Sequence, residues 1–274
     1  MTHTFKILFL TVCCVVISMV PAAADPLSDY FNGPTVNGQV LTYTGNGTTF
    51  TDGNLQFTFT GLTINPICTA GGAQVSCSPG SYNPTSAAAL SVVGTSGLGV
   101  GFDGFDLQGQ VGVTSYDMGD IPVDVTEDVD LNYTVTTIDG AATITDAHLS
   151  VGACASDTPG NPPGNCLTGG GQLVPNMTVN EFFSGTNQVI SASAPPNILN
   201  AMADFSSPMS SIQVTKDIFL ESGACDNCSV GFSDLKQYYS QVPEPRTYAW
   251  ILGLGLFGLI QLRRRFATSE PSAS

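Results

Sequence analysis

The sequence is poor in positive charge, histidine and tryptophan, and each shortage closes off a chemistry. Between residues 25 and 241 the only basic side chains are Lys216 and Lys236, against twenty Asp and Glu, hence a formal charge of −18 for that stretch. Such a surface repels phosphate backbones within a Debye length of roughly 8 Å, so no nucleic acid partner is expected and the acidity reads as solubility. Histidine occurs at His3 and His148. His3 falls in a leader segment, which leaves His148 alone between Ala147 and Leu149 in a strand pattern. A His-Glu-x-x-His zinc helix is therefore impossible, a serine triad would rest wholly on His148, and no Gly-x-Ser-x-Gly elbow occurs. Paired carboxylates about 5 to 10 Å apart suffice to hydrolyse a glycoside, yet nothing selects a pair from twenty. The one tryptophan, Trp250, lies beyond this stretch, which weakens a sugar-stacking platform. No catalytic residue is assigned, and no enzymatic activity is expected.

A sustained 3.6-residue period is also missing; the best helical candidate, residues 197–205, is short. Period two is present instead. Leu55, Phe57 and Phe59 alternate with polar residues, as do Val129, Leu131, Tyr133 and Val135, and then Ile212, Val214, Ile218 and Leu220 with Lys216 between them. A further strand is predicted through Ala147, Leu149 and Val151. Asp139-Gly140 stands between the second run and Ala142 and Ile144, a dipeptide that favours a tight hairpin turn. Residues 154–174 and 184–211, rich in Pro, Gly, Ser, Ala and Asn, read as loops. The pattern predicts an all-β ectodomain, an antiparallel β-sandwich or jelly roll, as one domain over residues 25–241.

Two motifs in this domain match in spacing but not in context. Gly99, Gly101 and Gly104 have dinucleotide-binding spacing, with Asp124 beyond them, but Phe105, Asp106 and Leu107 continue a strand where a helix would have to open. Asp128, Asp130 and Asn132 imitate the start of a calcium hand. Tyr133 occupies the position that needs glycine, so these side chains read as the solvated face of a strand. A looser calcium site is the one cofactor left open, with Asp103, Asp106, Asp117 and Asp120 as its candidate ligands and Asp124, Glu127 and Asp128 close by in sequence.

The chain ends explain its handling. One lysine in residues 1–6, an apolar run over 7–20, and Ala22, Ala23 and Ala24 before Asp25 form a secretory signal peptide over residues 1–24, cleaved at the Ala22 and Ala24 small-residue site and implying the secretion machinery as a partner. The remaining six cysteines fall as neighbours, Cys68 with Cys77, Cys154 with Cys166, and Cys225 with Cys228. Export makes local disulfides the simplest assignment, although six cysteines allow fifteen connectivities. Cys225-x-x-Cys228 has redox spacing, but a strand rather than a helix follows it, so a structural bridge is expected. At the other end come Val242, Pro243, Glu244 and Pro245, an apolar segment over residues 247–262, Arg263, Arg264 and Arg265, and a short tail over 266–274. Sixteen helical residues reach about 24 Å, short of the ~30 Å hydrocarbon core, so the segment is a marginal membrane helix. The arginine cluster puts its end in the cytoplasm and everything before Val242 outside.

Pro-Glu-Pro, apolar helix and arginine cluster, in that order, resemble the PEP-CTERM sorting signal of exported bacterial proteins, here over residues 242–265. The resemblance implies processing by a membrane-embedded exosortase near Glu244, and transient inner-membrane anchoring followed by relocation to the cell envelope or exopolysaccharide matrix. The two prolines hold that segment extended, as a protease requires. The function expected is that of a non-enzymatic envelope or matrix protein. A calcium-assisted carbohydrate-binding module is the alternative, and a glycan hydrolase the third reading.

Overall fold

The computed structural model describes residues 24–77, 85–95, 102–138, 142–156, 176–194, 199–223, 228–243, 255–257 and 259–260. The strands, in chain order, are β1 (Asp25–Pro26), β2 (Thr35–Asn37), β3 (Val40–Thr44), β4 (Thr49–Asp52), β5 (Leu55–Ala70), β6 (Ala73–Val75), β7 (Leu90–Gly94) and β8 (Phe102–Thr114). There follow β9 (Tyr116–Asp117), β10 (Pro122–Thr137), β11 (Ala142–Ser156), β12 (Asn176–Phe183), β13 (Val189–Ala194), β14 (Asn200–Met209), β15 (Ser211–Glu221) and β16 (Ser229–Pro243). Two short 3-10 turns, Leu27–Tyr30 and Ala87–Ala89, complete the regular structure of the domain.

The strands form two antiparallel sheets. A six-stranded sheet runs β1-β7-β8-β16-β11-β14, and a ten-stranded sheet runs β13-β12-β15-β10-β5-β3-β2, with β4 and β6 on β5 and β9 on β10. Alternation dictates how they stack. Every second residue of β10, from Val123 to Thr137, is buried, as are Leu55, Phe57 and Phe59 on β5 and Ile212, Val214, Lys216, Ile218 and Leu220 on β15. From the other sheet, Phe105, Leu107, Ala147, Leu149, Val151, Leu235 and Tyr239 enter the same apolar cluster. At its centre Phe105 meets Phe57 edge-on at 5.3 Å between ring centroids and Tyr133 at 5.3 Å. The predicted antiparallel β architecture is the architecture found, a sandwich with one core.

Four local expectations are corrected. Asp139-Gly140, itself outside the described residues, does not join a hairpin, because β10 and β11 lie in different sheets. Both edges of β10 are taken, by β5 and β15, so the chain crosses to the other layer. The predicted loop over 184–211 contains the whole of β13 and β14, and the helical candidate over 197–205 overlaps β14. Those two strands sit at the outer edges of the ten- and six-stranded sheets, where one flank is unpaired and Ser, Ala and Asn are tolerated, so neither shows the strong alternation of a central strand. The loop predicted from residue 154 begins later, since β11 runs to Ser156; the rest of it lies outside the described residues.

Candidate functional site

The sorting segment grows out of the fold rather than following a linker. β16 lies between β8 and β11 in the six-stranded sheet, and its ladder with β11 extends through Val242, opposite Thr143, and Pro243, opposite Ala142. Among the described residues pairing with β8 reaches Ser240, and beyond it the ladder is with β11 alone, while the Gln241 side chain donates to Asp103 of β8. Proline ends the strand because it offers no amide to a ladder. Glu244, Pro245, Arg263, Arg264 and Arg265 lie outside the described residues, as does most of the apolar segment 247–262. The part that is described, 255–257 and 259–260, is helical, with Leu256, Phe257, Leu259 and Ile260 exposed. Among the described residues no helix is long and apolar enough to cross a membrane. At the other end Ala22 is outside the described residues; Ala24 is exposed, and Asp25 and Pro26 pair at once with β7.

A disulfide joins Cys68 to Cys77, with 5.2 Å between Cα atoms, closing the turn between β5 and the residues after β6. Cys228 is disulfide-bonded as well. Cys154 lies in β11 opposite Gly231, and Cys166 and Cys225 are outside the described residues. Ser229 opens β16, as the strand expected after Cys228 requires, and Gly104 and Phe105–Leu107 continue β8 as a strand where a dinucleotide loop would open a helix; Gly99 and Gly101 lie outside the described residues.

The four candidate calcium ligands are not gathered. Asp103 and Asp106 lie on β8 in the six-stranded sheet, whereas Asp117 belongs to β9 and Asp120 to the turn before β10, against the other sheet. Asp103 Oδ2 accepts hydrogen bonds from the Asn54 amide (2.9 Å) and Gln241 Nε2 (2.7 Å), and Asp106 accepts from Gln108 Nε2 at 2.8 Å. Asp120 has φ 47°, a left-handed conformation that aspartate tolerates in a turn. Oxygens do converge elsewhere on the protein. Asp128 and Asp130, two residues apart on the outer face of β10, meet Asp217 on β15, which stands directly opposite Asp130, and one ligand atom from each lies within 4.8 Å of the others. Partial burial, then the neighbouring charges of Asp130 and Asp217, push the Asp128 carboxyl up to about 6, and burial followed by Asp217 raises Asp130. Next along the same face lies a polar groove lined by Thr60, Gly61, Asn132, Thr134, Gln213 and Thr215, with Thr215 Oγ1 donating to Asn132 Oδ1 at 2.8 Å. Asp217 was overlooked in the sequence although its parity gives it away: it is the outward neighbour of an inward Lys216.

The inner faces carry a second polar group. Lys216, Glu181 and Gln237 have no solvent exposure, and Tyr133 and Tyr239 are buried beside them. Lys216 Nζ bonds Glu181 Oε1 and donates to Gln237 Oε1 at 3.0 Å; the Tyr133 hydroxyl lies 3.5 Å from Glu181 Oε1 and 2.9 Å from the Tyr239 hydroxyl. Burial drives the lysine well below its usual range and both phenols well above theirs. Glu127, also inward and fully buried, accepts from the Thr85 amide at 3.1 Å.

His148 settles on the opposite surface, stacked on Tyr238 with 4.9 Å between centroids. Its Nε2 lies 2.8 Å from Asp146 Oδ1 and 3.5 Å from Ser240 Oγ. Serine, histidine and aspartate are thus together, yet both partners meet the same ring nitrogen. A hydrolytic triad needs the carboxylate on Nδ1 and the hydroxyl on Nε2, so that the proton taken from serine is balanced across the ring. The cluster does not have that geometry.

Comparison with known families bears on the C-terminus. A family model described as the PEP-CTERM protein-sorting motif matches residues 241–265. No curated protein and no solved structure matches the chain significantly.

Proposed function

We propose, from the PEP-CTERM sorting signal that this chain carries, that the protein is a non-enzymatic component of the cell envelope or exopolysaccharide matrix, exported and then processed by an exosortase. The observation that carries the proposal is the match over 241–265 at the end of a folded strand. Such a signal marks an exported protein handled at the membrane, and here the entire sandwich stands before it as cargo. The geometry around His148 and the absence of a selected carboxylate pair favour a structural over a hydrolytic role for that cargo. Peptide mapping of the C-terminus, on protein taken separately from membrane and extracellular fractions of the native host, tests the proposal. A product ending near Val242 to Pro245, lost when Glu244 or Pro245 is replaced, supports it. A tail intact through Ser274 and confined to the membrane fraction would mean an ordinary anchor.

A second reading is favoured by one observation, the Asp128, Asp130 and Asp217 oxygens beside the Asn, Gln and Thr groove. Hard oxygen ligands suit calcium, and a polar groove suits hydroxyl-rich chains. In that reading the outer face of β10 and β15 binds exopolysaccharide with calcium. Saturable binding to purified exopolysaccharide that disappears on chelation and in Asp217→Asn would support it, and calcium-independent or absent binding would reject it.

A further inference from the structure

The ectodomain has two lysines and places one of them in the middle of its core. Lys216 occupies an inward position of β15 between Val214 and Ile218. Its Nζ contacts Glu181 Oε1, from the register partner on the adjacent strand β12, and reaches across the sandwich to Gln237 Oε1 on β16. The trio is incompletely tied. Glu181 Oε2 is buried without a hydrogen-bond partner, and Gln237 Nε2 has only the Tyr239 hydroxyl nearby. For an ion pair kept only for stability this is a poor arrangement, because a half-satisfied buried network is worse than an apolar core. For a reaction the same atoms have roles: an amine nucleophile, a carboxyl proton carrier, and a carboxamide whose nitrogen is free to leave.

We propose that Lys216 and Gln237 condense into an intramolecular amide that joins the two sheets, with Glu181 carrying the protons. The ammonium passes one proton to Glu181 Oε1, which its burial favours. The lone pair on Nζ then attacks Cδ of Gln237, whose carbonyl oxygen is already 3.0 Å away. The Nζ–Cδ bond forms and the Cδ–Nε2 bond breaks. Glu181 protonates Nε2 as it leaves in ammonia and takes the second proton from Nζ. An ammonium, a carboxylate and a primary amide thus become a secondary amide, a carboxylic acid and ammonia, with no oxidant, reductant or cofactor. The change removes both buried charges and one buried amide nitrogen, so the apolar core that makes the ion pair costly drives the reaction. Tyr133, bonded to Tyr239, steadies Glu181 from the third side. Folding supplies the alignment and keeps out the water that would hydrolyse Gln237 instead.

The position of the bond gives it a use. Gln237 stands five positions before Val242 on the strand that leads into the sorting segment. Tension from the C-terminus enters the fold through β16, and an amide at Gln237 passes it to β15 in the other sheet rather than to hydrogen bonds alone. The proposal is independent of how the C-terminus is processed.

The test is mass spectrometry of the full chain, purified, reduced and denatured. After chymotryptic digestion a branched peptide containing Lys216 and Gln237, lighter than the two linear peptides together by one ammonia, is expected. Trypsin should fail to cut after Lys216. Linear Lys216 and Gln237 peptides in the wild-type protein would overturn the proposal, as would a Lys216–Glu181 link lighter by one water. Glu181→Gln should restore the linear peptides, and a crosslink persisting in it would overturn the role of Glu181. Should that variant not fold, the wild-type peptides decide by themselves.

Discussion

Replacing Asp128 by asparagine should stabilise the protein at neutral pH and cease to matter in acid. In the folded state its carboxyl is pushed up to about 6 from an ordinary value of 3.8, through burial first and then Asp130 and Asp217. A raised carboxyl binds its proton more tightly folded than unfolded. Its ionised form therefore costs stability above pH 6, the cost fades as pH falls through 6, and it is gone below about 4. The full shift corresponds to ~3 kcal/mol at 1.36 kcal/mol per unit. Asp128 is partly open to solvent, and screening reduces the expected cost to about 1 kcal/mol. Asp128→Asn removes the charge while keeping the shape, so at pH 7.5 it should gain about 1 kcal/mol, or ~2–4 °C in melting temperature for a domain of this size. Urea unfolding followed by circular dichroism at pH 7.5 and pH 4.5, with and without chelator, measures the difference. The gain should shrink to about a third at pH 4.5 and be gone below about pH 4. Carboxylates away from the Asp128, Asp130 and Asp217 trio affect both proteins equally and cancel in the comparison; Asp234, held low chiefly by its hydrogen bond from Lys236, destabilises both as pH falls. Asp128→Asn equal to or less stable than wild type at pH 7.5 in chelator would refute the reasoning. Under the calcium reading, millimolar calcium should reverse the order of the two proteins, since the ion neutralises the charges that otherwise repel.

Other perturbations address separate parts of the fold. Removing the Cys68–Cys77 bridge by a double alanine change should cost about 2–3 kcal/mol in urea unfolding, and reductant should erase the difference from wild type. Gly104→Ala should cost about 2 kcal/mol or more in the same assay, because a Cβ there collides with the Gln237 carbonyl oxygen and the Tyr238 Cα of β16, backbone atoms that cannot turn aside. In a Gln237→Met background, where no amide can form, Lys216→Met leaves Glu181 buried without its cation and should cost about 3–5 kcal/mol, of which adding Glu181→Met should recover most.

Central strands were legible because burial on one face imposes period two: β10 and β15 carry it without interruption, and β5 carries it on either side of Thr60 and Gly61, where its inward parity switches. Edge strands were not, since β13 and β14 satisfy only one neighbour and their small polar residues resemble loop composition. Sheet membership escaped as well: alternation fixes which residues face inward, but the same Asp-Gly turn serves a hairpin within a sheet or a crossing between sheets. The polar core was half legible. Lys216 breaks the apolar row of Val214 and Ile218 at inward parity, and Glu181 does the same after Val179, so two opposite charges at buried positions already foretold a partner for each. That Gln237 joins them from the other sheet depends on tertiary stacking, which no local pattern carries. The outward trio failed for a related reason. Asp128 and Asp130 are visible on one strand as a solvated face, but Asp217 reaches them only through the antiparallel register of β10 and β15.

The junction at β16 explains why cargo and sorting signal can share a strand. Through Ser240 the strand is locked by ladders on both sides, and its inward residues Leu235 and Tyr239 are part of the core. A cut within that region would strip a partner from β8 and β11 at once and expose their edges. From Gln241 to Pro243 β11 is the ladder partner among the described residues, Gln241 still reaches Asp103 of β8 through its side chain, and Val242 faces solvent. The first proline of the motif, Pro243, makes the last described ladder pair, and a second proline follows two residues later in sequence; neither offers an amide to a ladder. An enzyme that takes its substrate as an extended strand therefore meets Glu244 just past the last ladder pair. Release at that point would leave β16 complete, so on the reading proposed here the sandwich departs the membrane with its core, its disulfide and its Lys216 cluster unchanged.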